Sequence, residues 1–326
     1  MKMPSTAHVR PGDARHADAP LLQEILDSLT APQKWLHPKF LYDARGSALF
    51  DRICELPEYY LTRTETEILH ARAPDFIRAL GPDPVIIEPG SGSSLKTRIL
   101  FDALEGRATY VPVEISRSHL MQAVRELRSD YPQLEVQPVC ADFTQPFSLP
   151  AVQWTGRKLV FFPGSTLGNF YRPEAVALLR LLGGLAGPDG LILLGADLRK
   201  DPAIIERAYN DAAGLTAAFN RNVLVRLNRE FGADFDVRAF EHRAPWVAEE
   251  CRIEMHLVSR YAQSVHIAGE TIRFATGESI WTESCHKYDS AQFAALAADA
   301  GLQLRETWTD ARQLFSVQVL AGAPAR

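Results

Sequence analysis

Cysteine is scarce and dispersed in this sequence, with four residues in 326, at Cys54, Cys140, Cys251 and Cys285, and no CxxC pair. Such spacing argues against a disulfide framework and gives a zinc cage no local ligand pair to start from, so no metal is expected. A reducing cytoplasm is the default compartment. No apolar run approaches the roughly 18 to 20 residues that span a bilayer. The opening MKMPSTAHVRPGDARHADAP lacks an apolar signal core and reads as a leader over residues 1–20. Positive charge is also in deficit, at 35 Lys and Arg against 40 Asp and Glu, a net charge of -5. Nucleic-acid and anionic-membrane binders show a basic surplus or patch, so the expected partner is a small molecule, and the expected state a monomer. Neither an internal repeat nor a low-complexity tract is present.

What is there is an ordinary soluble composition, 46% hydrophobic and 23% charged, long enough for one large domain or two moderate ones. Short apolar runs alternate with amphipathic stretches through the middle. VIIE (85–88) precedes GSGSS and LKTRILFDAL, where Leu95, Ile99, Leu100, Ala103 and Leu104 share a helical face. TYVPVEI (109–115), VQPVCADF (136–143), KLVFFPG (158–164) and GLILLGADL (190–198) follow, with helical segments between them. This alternation predicts an α/β fold with a mainly parallel sheet, and runs such as LVFF and LILL suit strands covered on both faces. Residues 201–231 read as one long helix and 252–284 as a meander. A helix and two strands, LRETWTD and FSVQVLAG, close the chain. Before the core, Thr64 and Glu67 have capping-box spacing.

IIEPGSGSSLKTR is the most informative stretch. A Gly-x-Gly turn leaving a strand lets backbone approach a ligand closely, with a helix N-terminus beyond it. The Walker spacing G-x-x-x-x-G-K-[ST] is not met, and a dinucleotide fingerprint would want a third glycine where Leu95 stands. S-adenosylmethionine needs only a short glycine turn and an acid, which Gly90, Gly92 and Glu88 supply. Glu114 ends the next strand, where a ribose-hydroxyl acceptor belongs, and Asp142 with Phe143 ends the third, suited to an adenine. Residues of this kind in order at successive strand ends favour S-adenosylmethionine over a nicotinamide.

The fourth strand delivers FFPGSTLGNF. The Asn/Asp-Pro-Pro-aromatic signature of nucleic-acid amino methyltransferases is absent, leaving a glycine turn with Ser165, Thr166 and Asn169 to face a small polar acceptor. FLYDARGSALFDRICELPEYYLTRTETEIL, EPGSGSSLKTR, FFPGSTLGN, AYNDAAGLTAAFNRNVLVRLNRE and WTESCHKY together resemble the histidine-specific N-alpha-methyltransferases of ergothioneine biosynthesis, over roughly residues 35 to 320.

The resemblance implies a Rossmann-like class I methyltransferase core (65–198 plus 287–326) with a discontinuous α+β substrate-binding domain (21–64 plus 199–286). It implies that Gly90, Lys96, Glu114, Asp142 and Phe143 contact S-adenosylmethionine, with Tyr42 nearby. Tyr59, Asn169, Tyr209, Glu283, Ser284 and Cys285 match the amino-acid pocket, in which Asn169 and Tyr209 hold the amino-acid end and Glu283 the imidazole. Met255 reads first as core, with pocket lining open. Relatives carry a serine where this chain has Cys285 and usually an aspartate at Glu114. No His or Lys base is evident, so Gly164, Thr166 and Asn169 are expected to orient the amine while water takes its proton. The alternatives are another aromatic amino acid, such as tryptophan, as acceptor, or a non-catalytic S-adenosylmethionine-binding protein.

Overall fold

The computed structural model describes residues 19–92, 94–152 and 154–322; most of the expected leader lies outside them. The chain forms two units. The larger holds Cys54–Ala208, Trp246–Ile253 and the chain from Ser284 on, and the smaller holds the chain up to Ile53, Tyr209–Pro245 and Glu254–Glu283. The larger unit thus starts at Cys54 rather than at 65, because the helix Tyr60–Leu80 packs on the strand Phe315–Gly322 and on the helix Thr97–Ala103.

Its sheet runs, edge to edge, Leu302–Thr309, Phe315–Gly322, Leu191–Asp197, Lys158–Phe162, Val85–Pro89, Thr109–Glu114 and Glu135–Val136, with Val139–Cys140 also on Thr109–Glu114. Pairing is parallel from Leu191–Asp197 across to that far edge. Phe315–Gly322 enters antiparallel beside Leu191–Asp197, and Leu302–Thr309 pairs antiparallel outside it. Strand order reverses at Val85–Pro89, so the chain leaves to opposite sides from this strand, and a crevice at its carboxyl end is the expected ligand position. Val85–Pro89 and Leu191–Asp197 are buried at every residue, as strands covered on both faces must be. Arg172–Ala186 and Ser290–Asp299 pack on each other and on the sheet. A reciprocal box starts the latter, Asp289 accepting from Gln292 N at 2.8 Å and Gln292 from Asp289 N at 3.2 Å.

In the smaller unit the helix Leu215–Phe231 is tied to strands by one buried amide. Asn220 donates to His242 Nδ1 (2.9 Å) and His256 O (3.2 Å), and accepts from Thr282 Oγ1 (2.6 Å). Gln263–Ile267 and Glu270–Phe274 form a separate hairpin through Ala268 and Gly269, both at positive φ, the primed turn that matches strand twist.

Several local expectations change. Residues 201–231 are two helices, Pro202–Tyr209 and Leu215–Phe231, because Gly214 turns left-handed and Asp211 accepts from Leu215 N and Thr216 N. VQPV is interrupted: Pro138 has no N–H for a ladder, and two short strands flank it. The helix holding Thr64 begins at Tyr60, so Thr64 and Glu67 are interior and the Thr64 hydroxyl bonds back to Tyr60 O. Leu95 precedes its helix and is 63% exposed. Cys140 is exposed and Cys54 half-buried.

Candidate active site

The first part of the candidate site is built where Val85–Pro89 ends. Gly90 (φ 71°) and Gly92 (φ 49°) take left-handed conformations that admit glycine at little cost. Gly90 N and Ser91 N donate to Val113 O at 2.8 and 3.2 Å, folding the turn onto the neighbouring strand. A Cβ at Gly90 would stand 3.0 Å from the Phe143 ring, so the turn and that ring form one narrow wall. Glu114 meets the turn from the strand end, accepting from Gly92 N (3.4 Å) and Ser116 N (3.1 Å). Asp142 accepts from the backbone and hydroxyl of Thr144 at 2.9 and 2.6 Å, which fixes its carboxylate beside Phe143. Glu88 turns inward, where Oε2 accepts from Thr97 Oγ1 (2.5 Å) and from Tyr110 OH. A glycine wall, two half-buried strand-end carboxylates and an aromatic face fit the sulfonium nucleoside that the sequence suggested.

The second part of the candidate site follows Lys158–Phe162. Gly164 (φ 88°) and Ser165 (φ 61°) are both left-handed and lead into a 3-10 turn, Thr166–Asn169. Left-handed backbone at a non-glycine costs of order 1 kcal/mol. It is held by Ser165 Oγ accepting from Asp197 N (2.9 Å) and by Gly168 N on Ser165 O (2.9 Å). Thr166 Oγ1 bonds Pro163 O at 3.1 Å. Among the described residues the half-buried Asn169 amide has no side-chain hydrogen bond. The C-terminal motif packs here: a Cβ at Gly168 would be 3.1 Å from Cys285 Sγ, and His286 Nδ1 sits 2.8 Å from Gly168 O. Tyr59, 8% exposed, is the residue from which the helix Tyr60–Leu80 starts.

Residues 21–322 match the family described as histidine-specific methyltransferase, SAM-dependent. The chain belongs to this family. A histidine N-alpha-methyltransferase of Mycolicibacterium smegmatis is 44% identical over 89% of this chain and 91% of its own length. One from Mycobacterium tuberculosis is 41% identical over 92% and 94%. Ergothioneine biosynthesis protein 1 of Neurospora crassa is 29% identical over 82% of this chain, which spans 31% of that longer protein.

The methyltransferase also carries a buried charge cluster that no sequence spacing announced. Asp197, fully buried at the end of its strand, accepts from Tyr60 OH (2.8 Å), Lys200 Nζ (2.6 Å) and Lys287 Nζ (2.8 Å). Burial would raise the Asp197 carboxyl, but the Lys287 and Lys200 charges outweigh it and hold it below the usual carboxylate range. Lys287, fully buried, also donates to Cys285 Sγ at 3.1 Å. This cluster therefore anchors the 3-10 turn through Ser165 and the C-terminal motif through Cys285.

In the smaller unit of the methyltransferase, Tyr42 closes a 3-10 turn with its ring edge-on to Phe50 (5.6 Å) and Phe219 (5.3 Å), and is 42% exposed. Asp43 beside it accepts from Gly46 N, Asn222 and Arg229, each at 2.7 Å, which accounts for the aspartate of DARG. Tyr209 is buried and its carbonyl meets His242 Nε2 at 2.9 Å. Met255 is 1% exposed, a core position, with its carbonyl on Thr282 Oγ1 (3.0 Å). Glu283 is half-buried on the strand Ser279–His286, where its carbonyl accepts from Trp281 Nε1 at 2.9 Å. Strand alternation puts Glu283 and Cys285 on one face and Ser284 with Thr282 on the other.

Proposed function

We propose that this methyltransferase moves methyl groups from S-adenosylmethionine to the α-amine of L-histidine, ending at the trimethylated betaine, hercynine, the first step of ergothioneine biosynthesis. The observation that carries the reading is likeness to two histidine N-alpha-methyltransferases, at 44% and 41% identity over about nine-tenths of both chains. In each transfer the amine nitrogen forms a bond to the methyl carbon as the carbon–sulfur bond breaks, and a proton leaves to water. S-adenosylmethionine supplies the activated methyl group; the protein's task is alignment and a neutral amine.

Glu114 accepts from the ribose hydroxyls and Asp142 from the adenine amine, with Phe143 against the ring, and Lys96, Gly90 and Tyr42 complete the donor contacts. Asn169 and Tyr209 hold the amino-acid end, while Gly164 and Thr166 orient the amine lone pair. Tyr59 and Phe143 offer aromatic faces that tolerate a growing quaternary ammonium. Glu283 accepts from an imidazole N–H, and leaving its half-buried carboxylate unmatched penalises apolar side chains. Cys285 replaces the family serine and brings a weaker donor and acceptor to the imidazole. We read the enzyme as a cytoplasmic monomer that acts on the free amino acid and uses no metal.

Incubating the protein with S-adenosylmethionine and each common amino acid, with products followed by mass, tests this. Trimethylated histidine is the expected product. Tryptophan turning over faster than histidine would overturn the acceptor, and no methylated amino acid would overturn the enzyme.

A further inference from the structure

Three parts of the larger unit, remote in sequence, meet at one buried carboxylate. Glu65 lies in the Tyr60–Leu80 helix and is 1% exposed. Its two oxygens accept from Gly164 N at 2.9 and 3.0 Å, and Oε2 also pairs with Lys96 Nζ. Lys96 opens the helix after the glycine turn, and Gly164 opens the turn after the fourth strand. A Cβ at Gly164 would lie 3.6 Å from Lys96 Nζ, so the ammonium rests against that turn.

The space for this carboxylate comes from a glycine in an otherwise fully buried strand. A Cβ at Gly195 would stand 2.1 Å from Glu65 Oε1 and 3.0 Å from Gly164 N. Glycine weakens a strand interior, and a buried carboxylate is costly even when paired. An apolar pair at 65 and 195 would avoid both penalties but would strand the Gly164 N–H and the Lys96 ammonium. What Glu65 does in this place is therefore to join those two groups, one from each turn.

We propose that Glu65 is a positioning residue for methyl transfer, acting through Lys96 on the donor side and the Gly164 amide on the acceptor side, so that both are registered to one carboxylate. This rests on the donor and acceptor assignments made above. In-line displacement depends steeply on the separation and alignment of the reacting atoms, and an error near 1 Å costs about 100-fold in rate.

Glu65→Gln is the informative change. It keeps an oxygen for Gly164 N–H but offers Lys96 an uncharged amide. The expected result is a folded protein in which kcat for histidine falls by about tenfold or more, with partly methylated products accumulating. Lys96→Met should cost less in kcat on the Glu65→Gln background than in the wild type, because part of its effect on kcat runs through Glu65, while its own donor contact is read in the KM for S-adenosylmethionine. Glu65→Asp retains the charge but is one methylene too short to span both partners; it should show the same kcat loss and carries the test should the glutamine variant not fold. Wild-type kcat and KM in a folded variant, even with a lowered Tm, would make Glu65 purely structural and overturn the inference. Failure of the wild-type protein to methylate any amino acid would sink the functional reading instead, so the two failures are separable.

Discussion

Replacing Glu88 by glutamine should remove a pH dependence of stability that the fold builds into the first strand. Glu88 is 3% exposed, and its bonds go to the hydroxyls of Thr97 and Tyr110. Burial pushes its carboxyl from the ordinary 4.5 up to about 7, although both hydroxyls and the Lys96 charge pull it down. The folded protein holds this proton more tightly than the unfolded chain does. The stabilising contribution is thus complete below the unfolded pKa and is lost as pH rises through the folded one. A displacement from 4.5 to about 7 corresponds to about 3 kcal/mol in full. About 2.5 kcal/mol of it falls between about pH 5 and about pH 8. Glutamine keeps the acceptor oxygen and cannot ionise. Urea unfolding of both proteins across that range should show the wild type losing about 2.5 kcal/mol relative to Glu88→Gln as pH rises. Parallel stability curves would refute the claim that Glu88 is buried with its proton.

Other changes separate the parts of the site. Glu283→Ala should raise the KM for histidine by about tenfold or more and leave that for S-adenosylmethionine nearly unchanged, as steady-state kinetics will read; equal effects would contradict its assignment. Gly90→Ala places a Cβ 3.0 Å from Phe143 at a positive φ, and should weaken S-adenosylmethionine binding by about tenfold in calorimetry with little change in KM for histidine. Lys287→Met strips one cation from the Asp197 cluster and should cost about 3 kcal/mol of stability, with a matching fall in Tm; an unchanged Tm would mean that Lys200 and Tyr60 suffice.

The glycine turn and the two strand-end acids were legible as positions because their signals are local. The glycine turn, Glu114 and Asp142 each follow an apolar run, and periodicity alone orders those runs. The turn after Lys158–Phe162 was legible as a place but not in its mechanics. Nothing in GST marks Ser165 as left-handed, because its anchor is the Asp197 N–H, a partner remote in sequence. Glu65, Asp197 and Lys287 escaped for the same reason. Glu65 sits in TRTETEIL, where a helical reading puts any glutamate in solvent. Lys287 in CHKY looks like a surface cation after a strand. Burial of a charge is decided by partners that tertiary structure brings together, and no spacing rule links residues 60, 197, 200 and 287. Likewise, the break at 210–214 turns on one left-handed glycine within an apolar pattern that continues on both sides.

The antiparallel strand Phe315–Gly322 has a consequence for how the protein is made. It lies inside the core sheet, between Leu302–Thr309 and Leu191–Asp197, and is buried along nearly its whole length. A ribosome that has already released the glycine turn, the acceptor turn and both lysines of the charge cluster has still not delivered this strand. Until it does, Leu191–Asp197 presents an open apolar edge, the kind that captures a foreign strand. The nascent chain must therefore wait with its donor loop synthesised and its sheet unfinished. Shortening the protein before Phe315 would make that waiting state permanent, with aggregation rather than a smaller enzyme as the outcome.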